Sequence, residues 1–304
     1  MAFTRIHHVG IITPSLEEAQ KVYCGGFGLA VDRRRSPLPN GRTGSFDSVS
    51  TIEVPVAELY LELSKPNDPN TEAGKFLAER PGGGMHHLCL ASDDIVNDVR
   101  RLQQKGVKIR ADQAGKWDGH SPVFLDPATT LGLQLEVASS EQYYPHPAFR
   151  GEGLIIGMAH IGIAARNYEE VYKLWADTFG LPQNYSRDRG GPRRQEAGRS
   201  IGPDDPVWLK EFPIGGCVLE ISIPADTESG TARFVAQRAT QGAAFHHIGP
   251  YANNVHALVA RAKAGGVQQI GAIPEPGQAV NYVAWFHPRS CIGTLVEVWN
   301  RPEP

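Results

Sequence analysis

Seven of the eleven histidines in this chain stand in four short strings that open four similar stretches. They are His7-His8-Val9-Gly10-Ile11, His86-His87-Leu88-Cys89-Leu90, His160-Ile161-Gly162-Ile163 and His246-His247-Ile248-Gly249. Each stretch closes in an apolar run with one carboxylate in it: Leu61-Glu62-Leu63, Leu135-Glu136-Val137, Leu219-Glu220-Ile221 and Val296-Glu297-Val298. A carboxylate among aliphatics on a buried strand is costly unless something pairs with it. A divalent cation is the partner these residue types suit. Two imidazoles and two carboxylates fit Zn²⁺, Ni²⁺, Co²⁺, Mn²⁺ or Fe²⁺; a purely oxygen-preferring ion such as Ca²⁺ fits less well. The candidate ligands are His8, Glu62, His87 and Glu136 in one set, and His160, Glu220, His247 and Glu297 in the other.

Those sets imply a repeat. His8 to His160 is 152 residues, Glu62 to Glu220 is 158, His87 to His247 is 160 and Glu136 to Glu297 is 161. The halves split again, since His8 to His87 is 79 residues and Glu62 to Glu136 is 74. The boundaries expected are 1–145 and 154–304. The linker falls at about 141–153, where Tyr143-Tyr144-Pro145-His146-Pro147 has two prolines and no periodicity.

The elements that must position these groups can be read from their punctuation. Ser15-Leu16-Glu17-Glu18 is a capping box, and its helix is expected to run to about Cys24 and stop at Gly25-Gly26. Asn167 with Glu170 repeats the arrangement, with a stop near Gly180. Two further helices are expected from near Ser92 to Gly106 and from near Asn253 to Gly265, with Ile95, Val99 and Leu102 at helical spacing. Three strands follow each helix, joined by turns bearing Gly and Pro. The fold class expected is therefore α+β: four β-α-β-β-β modules in two tandem halves. Each half is a curved mixed sheet forming a cup, with the helices outside.

Side chains alternate faces along a strand. In Leu133-Gln134-Leu135-Glu136-Val137 the aliphatics take one face and Glu136 the other. By the same alternation His86 and His87 point opposite ways. The single His160 sets the register, which selects His8, His87 and His247 and leaves His7, His86 and His246 structural.

Bulk properties exclude several classes. With 304 residues, 41% apolar and 21% charged, the composition is that of a soluble globular protein of two domains. A net charge of −3 offers no basic field for nucleic acid. No apolar run is long enough for a membrane span, and Met1-Ala2-Phe3-Thr4-Arg5 lacks the apolar core of a signal peptide. Cys24, Cys89, Cys217 and Cys291 are scattered and read as reduced thiols of a cytoplasmic protein.

On these motifs the chain resembles the vicinal oxygen chelate superfamily, which groups glyoxalase I, extradiol dioxygenases and methylmalonyl-CoA epimerases. It is most similar to the epimerases. Gly82-Gly83-Gly84-Met85-His86-His87-Leu88 resembles their Gly-Gly-Met-His-His-Ile stretch. Ser121-Pro122-Val123-Phe124-Leu125-Asp126-Pro127 leading to Glu136 resembles their last turn and strand, and Trp285-Phe286-His287-Pro288-Arg289-Ser290-Cys291 leading to Glu297 repeats it. The resemblance implies one metal site in each half on the eight ligands above. It also implies a small-molecule substrate, a carbonyl acid or acyl-CoA, and a monomer or homodimer. It departs at Asn40 in Ser36-Pro37-Leu38-Pro39-Asn40-Gly41, where the epimerases carry a glutamate base, and an amide cannot take a proton from carbon. Glu196 lies in the related loop of the second half. In glyoxalase I a metal-bound glutamate is itself the base, a role that Glu62 or Glu136, and Glu220 or Glu297, are placed to take.

The activity implied is metal-dependent epimerisation, isomerisation or lyase chemistry by proton abstraction beside a bound carbonyl. An extradiol dioxygenase would use only His160, His247 and Glu297. A non-catalytic binder of the bleomycin-resistance kind would typically have lost ligands that this chain keeps. Arg33, Arg34, Arg35 and Arg42, with Arg187, Arg189, Arg193, Arg194 and Arg199, either grip an acidic substrate or CoA phosphates or form solvated loops. Tyr143, Tyr144, Trp175 and Trp208 read as core or interface, and Gly25-Gly26 and Gly82-Gly83-Gly84 as turns.

Overall fold

The computed structural model describes residues 3–44, 46–141, 153–185, 205–279 and 281–300. The first half contains β1 (Phe3–Ile12), α1 (Leu16–Gln20), β2 (Arg42–Thr43), β3 (Val49–Val56), β4 (Leu59–Pro66), α2 (Glu72–Glu79), β5 (Gly84–Ser92), α3 (Ile95–Gln104), β6 (Val123–Phe124) and β7 (Gln134–Ser139). The second contains β8 (Ile155–Ala165), α4 (Tyr168–Tyr172), β9 (Val207–Ile214), β10 (Cys217–Pro224), α5 (Gly230–Arg238), β11 (Ala243–Ala252), α6 (Val255–Ala264), β12 (Gln269–Ile270), β13 (Val283–Phe286) and β14 (Leu295–Trp299).

Each half builds one seven-stranded mixed sheet, in the orders β2-β3-β4-β1-β5-β7-β6 and β12-β13-β14-β11-β8-β10-β9. The strand that opens each module lies at the sheet centre, antiparallel to the opening strand of its sister module. Its flank is the module's own last strand, running parallel. Histidine strands and glutamate strands are thus neighbours, which is the α+β tandem architecture expected.

Local chemistry explains the helices. The Ser15 hydroxyl accepts from the Glu18 N–H at 3.2 Å, and Asn167 Oδ1 from the Glu170 N–H at 3.0 Å. Regular α winding lasts only to Gln20 and Tyr172; wider π turns then carry the chain through Lys21–Gly26 and Lys173–Thr178. The helices α2 and α5 are additions to the expected pattern. Each is capped by a hydroxyl, from Thr71 to the Gly74 N–H at 3.1 Å and from Ser229 to the Ala232 N–H at 3.2 Å.

One hydrophobic core runs through both halves, and the cross-half contacts are reciprocal. Arg261, the seventh residue of α6, donates to the Gly25 carbonyl at 3.1 Å at the end of the first π turn. Arg101, the seventh residue of α3, donates to the Thr178 carbonyl at 3.0 Å at the end of the other. Phe27 meets Phe286 edge-on at 5.1 Å and Phe3 meets Phe179 at 5.4 Å, pairs worth about 0.5–1.5 kcal/mol each beyond their burial. Gly26 admits this approach, since a Cβ there would lie 2.8 Å from Val267.

No helix among the described residues is long and apolar enough to cross a membrane. Cys24, Cys89, Cys217 and Cys291 are all free thiols.

Candidate metal centres

The central strands are not regular where the histidines sit. The ladder pairs Ile6 with Leu90 and His8 with Cys89, skipping His7; it pairs Gly10 with His87 and Ile11 with Met85, skipping His86. In the second sheet it pairs Phe245 with Ile163 and His247 with Gly162, skipping His246. Each skipped residue is a β-bulge. Strict alternation, which would send the two histidines of a pair to opposite faces, therefore fails here. The two rings meet instead: Nδ1 to Nδ1 is 2.9 Å for His7–His8, 3.0 Å for His86–His87 and 3.0 Å for His246–His247. Burial, aided by neighbouring charge, lowers the outer rings to a pKa of about 2 for His7, about 3 for His86 and about 3 for His246. The outer rings are thus neutral at physiological pH.

Further along these strands, a glycine faces each inner ring of the second sheet. A Cβ at Gly162 would lie 2.1 Å from the His247 ring, and one at Gly249 would lie 2.2 Å from that of His160. Gly10 leaves the same room for His87, at 1.9 Å. The glycine two residues after His8, His160 and His247 was visible in the sequence strings, but its purpose shows only when the strands are paired.

In the second half all four expected ligands converge. Their ligand atoms lie within 4.8 Å of one another, and all four residues are buried. His160 Nε2 lies 2.9 Å from His247 Nε2, and Glu297 Oε2 lies 3.0 Å from the first and 3.2 Å from the second. Glu220 Oε1 stands 3.9 Å from His247 Nε2. Its other oxygen is buried without a hydrogen-bond partner among the described residues. Burial works to raise the Glu297 carboxyl, but hydrogen bonds and charge from His160 and His247 overcome it and hold it well below the usual carboxylate range. Trp285 packs edge-on against His247 and Trp299 against His160. Two imidazole nitrogens that face each other beside two carboxylates, one oxygen of which is unpaired among the described residues, form a donor set that fits a divalent ion.

The first half differs. His8, His87 and Glu136 converge, with His8 Nε2 at 3.0 Å from His87 Nε2 and 3.1 Å from Glu136 Oε2. Glu62 stands 3.8 Å from His8; its Oε2 instead accepts from Arg42 Nη2 at 3.1 Å. The same nitrogen bonds Glu53 Oε1 at 2.8 Å. Glu53 is fully buried and pairs across the ladder with Glu62, as Glu211 does with Glu220. Burial pushes the Glu62 carboxyl up despite His8 and Arg42. Burial opposes charge on His8, but Glu62 and Glu136 outweigh it and raise that ring, whereas burial and His8 drive His87 down. Glu53 carries the same sequence signal as the ligands, a carboxylate flanked by Ile52 and Val54, and sequence reasoning missed it.

Replacing Arg42 with alanine leaves buried Glu62 without its guanidinium partner while Glu53 keeps Arg35, which should cost about 1–3 kcal/mol of stability without metal. Because Glu62 is then free to turn to His8, added Co²⁺ should recover more stability in R42A than in the parent. Urea melts with and without Co²⁺ check this; equal recovery in both would show that Glu62 is not released.

Other residues singled out by sequence fall in varied places. Asn40, Arg33, Arg34 and Arg35 are exposed, and Arg35 reaches Glu53 Oε2 at 3.2 Å. Trp175 is core and Trp208 packs partly buried against it. Gly25-Gly26 end the first π turn, and Gly83 turns with φ of 80° before β5. Arg187, Arg189, Arg193, Arg194, Glu196, Arg199, Tyr143, Tyr144 and most of the expected linker lie outside the described residues.

Comparison with known proteins agrees with this architecture. Residues 7–124 and, separately, residues 157–289 match models of the Glyoxalase/Bleomycin resistance protein/Dioxygenase superfamily. A mitochondrial methylmalonyl-CoA epimerase of Dictyostelium discoideum is 32% identical over 135 residues, 44% of this chain and 76% of the relative. An ethylmalonyl-CoA/methylmalonyl-CoA epimerase of Cereibacter sphaeroides is 29% identical over 135 residues, 44% of this chain and 96% of that protein. Among solved structures, a mutant 4-hydroxymandelate synthase of Streptomyces coelicolor superposes with a TM-score of 0.65 at 14% identity. That match covers 98% of this chain and 93% of the synthase, a likeness of fold. With both halves matched and the ligand-bearing strands paired as described, the chain belongs to the glyoxalase/bleomycin resistance/dioxygenase (vicinal oxygen chelate) superfamily as a tandem, four-module member.

Proposed function

We propose that this protein is a metal-dependent epimerase, isomerase or lyase of the glyoxalase type. It moves a proton on the carbon next to a carbonyl of a small acid or acyl-CoA. The observation that carries the reading is the gathering of His160, Glu220, His247 and Glu297 within 4.8 Å. His160, Glu220, His247 and Glu297 would hold the ion. A divalent ion held there would stabilise the negative charge that develops on the carbonyl oxygen, a contribution of several kcal/mol.

The protein's own groups divide the remaining work. Glu297 lies 3.0 Å from His160 Nε2 and 3.2 Å from His247 Nε2 and would share the ion with both. Glu220 keeps a buried oxygen without a hydrogen-bond partner among the described residues and is the better placed acceptor for the substrate proton, worth roughly 10²–10⁴ in rate. In the first half Glu136 takes the place of Glu297, and Glu62 would act as base only on release from Arg42. The relatives' names support a thioester substrate, and exposed Arg33 and Arg34 suit its phosphates. Four free thiols support a reducing, cytoplasmic setting.

The test is deuterium wash-in at the α-carbon. Methylmalonyl-CoA and a panel of acyl-CoA thioesters and 2-oxo acids are incubated in D₂O with Co²⁺ and followed by proton NMR. Exchange on at least one is expected, and no exchange on any overturns the reading. A second reading is an extradiol-type oxygenase on His160, His247 and Glu297. It draws on Glu220 standing farther from His247, at 3.9 Å, than Glu297 does, at 3.2 Å. Oxygen uptake with catechols and Fe²⁺ would favour it.

A further inference from the structure

The paired histidines carry a consequence for the ligands. Two Nδ1 atoms 2.9–3.0 Å apart share a single proton: one ring donates and the other accepts. If the inner ring is to offer a bare Nε2 to an ion, its proton must sit on Nδ1. It must then donate to a bare Nδ1 on the outer ring, whose proton moves to Nε2. The outer rings are held for this by packing. His86 lies parallel to Phe46 at 5.9 Å and edge-on to Phe76 at 5.0 Å. His246 lies edge-on to Phe234 at 4.7 Å, and His7 edge-on to Tyr60 at 5.4 Å. The Tyr60 hydroxyl also comes within 3.3 Å of His7 Nδ1. The bulge at each pair is what brings the rings together.

We infer that His7, His86 and His246 are positioning residues that accept the Nδ1 proton of His8, His87 and His247 and so aim a bare Nε2 of each at the metal. The fourth position supplies an internal contrast. The ladder pairs Gly249 with His160 and Pro250 with Met158, so the residue skipped before His160 is Ala159. Three of four inner rings thus have a histidine behind them and one has not. This inference rests on the metal reading above.

The experiment measures Co²⁺ affinity by visible absorption against a competing chelator, in a His87→Ala background that leaves the second site to be read. His246→Phe keeps a ring against Phe234 but offers no acceptor, and should weaken binding about 10–100-fold. His246→Asn, whose Oδ1 can stand in for Nδ1, should recover most of that loss. Long-range ¹⁵N–¹H NMR of the Zn²⁺-loaded parent should show the proton on Nδ1 of His247 and on Nε2 of His246. A His246→Phe protein that binds Co²⁺ within twofold of its parent, or a proton found on Nδ1 of His246, overturns the inference alone. No Co²⁺ binding by the parent overturns it together with the metal reading. Should His246→Phe not fold, the NMR measurement on the parent decides.

Discussion

Glu297→Gln is expected to empty the second site of metal and to slow α-proton exchange about a thousandfold. Among the described residues, Glu297 is the one carboxylate within hydrogen-bond reach of both His160 and His247. Glutamine keeps the shape but removes the charge, so Glu220 alone would face a dication. Loss of the ion forfeits the stabilisation of the developing oxyanion, about 4 kcal/mol, and each 1.36 kcal/mol is a factor of ten in rate. Elemental analysis of the purified variant and the exchange rate check it together. Full metal occupancy with a rate within tenfold of the parent would remove Glu297 from the ligand set.

Glu220→Gln should separate binding from chemistry. The amide oxygen can still face the ion, so metal content should fall much less than in Glu297→Gln. An amide cannot accept a proton from carbon, so exchange should fall by roughly 10²–10⁴. The Glu220 oxygen that has no hydrogen-bond partner among the described residues is the atom whose loss this reads. Retained metal with a retained rate would place the base elsewhere, and in the first half Glu62 is the counterpart of Glu220.

Much of this arrangement was legible in the sequence because its signals are local and fourfold repeated. A histidine before an apolar strand, a capped helix and a glutamate between aliphatics recur four times in the same order, and alternation sets each glutamate against its flanking aliphatics. The features that were not legible depend on pairing between distant segments. The β-bulge turns His7 and His8 toward each other only because β1 carries one residue more there than the strand it pairs with. Arg42 stood out merely as one basic residue in a loop, and its grip on Glu62 depends on how β2 lies against β3. Gly162 shows its purpose only once His247 is opposite. The helix α2 follows Asp68-Pro69-Asn70-Thr71, which reads as a turn unless the Thr71 cap is weighed.

The reciprocal grip of Arg101 and Arg261 joins four modules on one chain, much as two separate copies of a shorter protein would embrace. Dilution cannot part such an embrace, since each partner stays at a high effective concentration around the other. A change in one half is also not copied into its twin. Arg42 beside Glu62, and Cys89 where the second sheet carries Gly249, show the freedom this grants: one half can keep an older task while the other drifts.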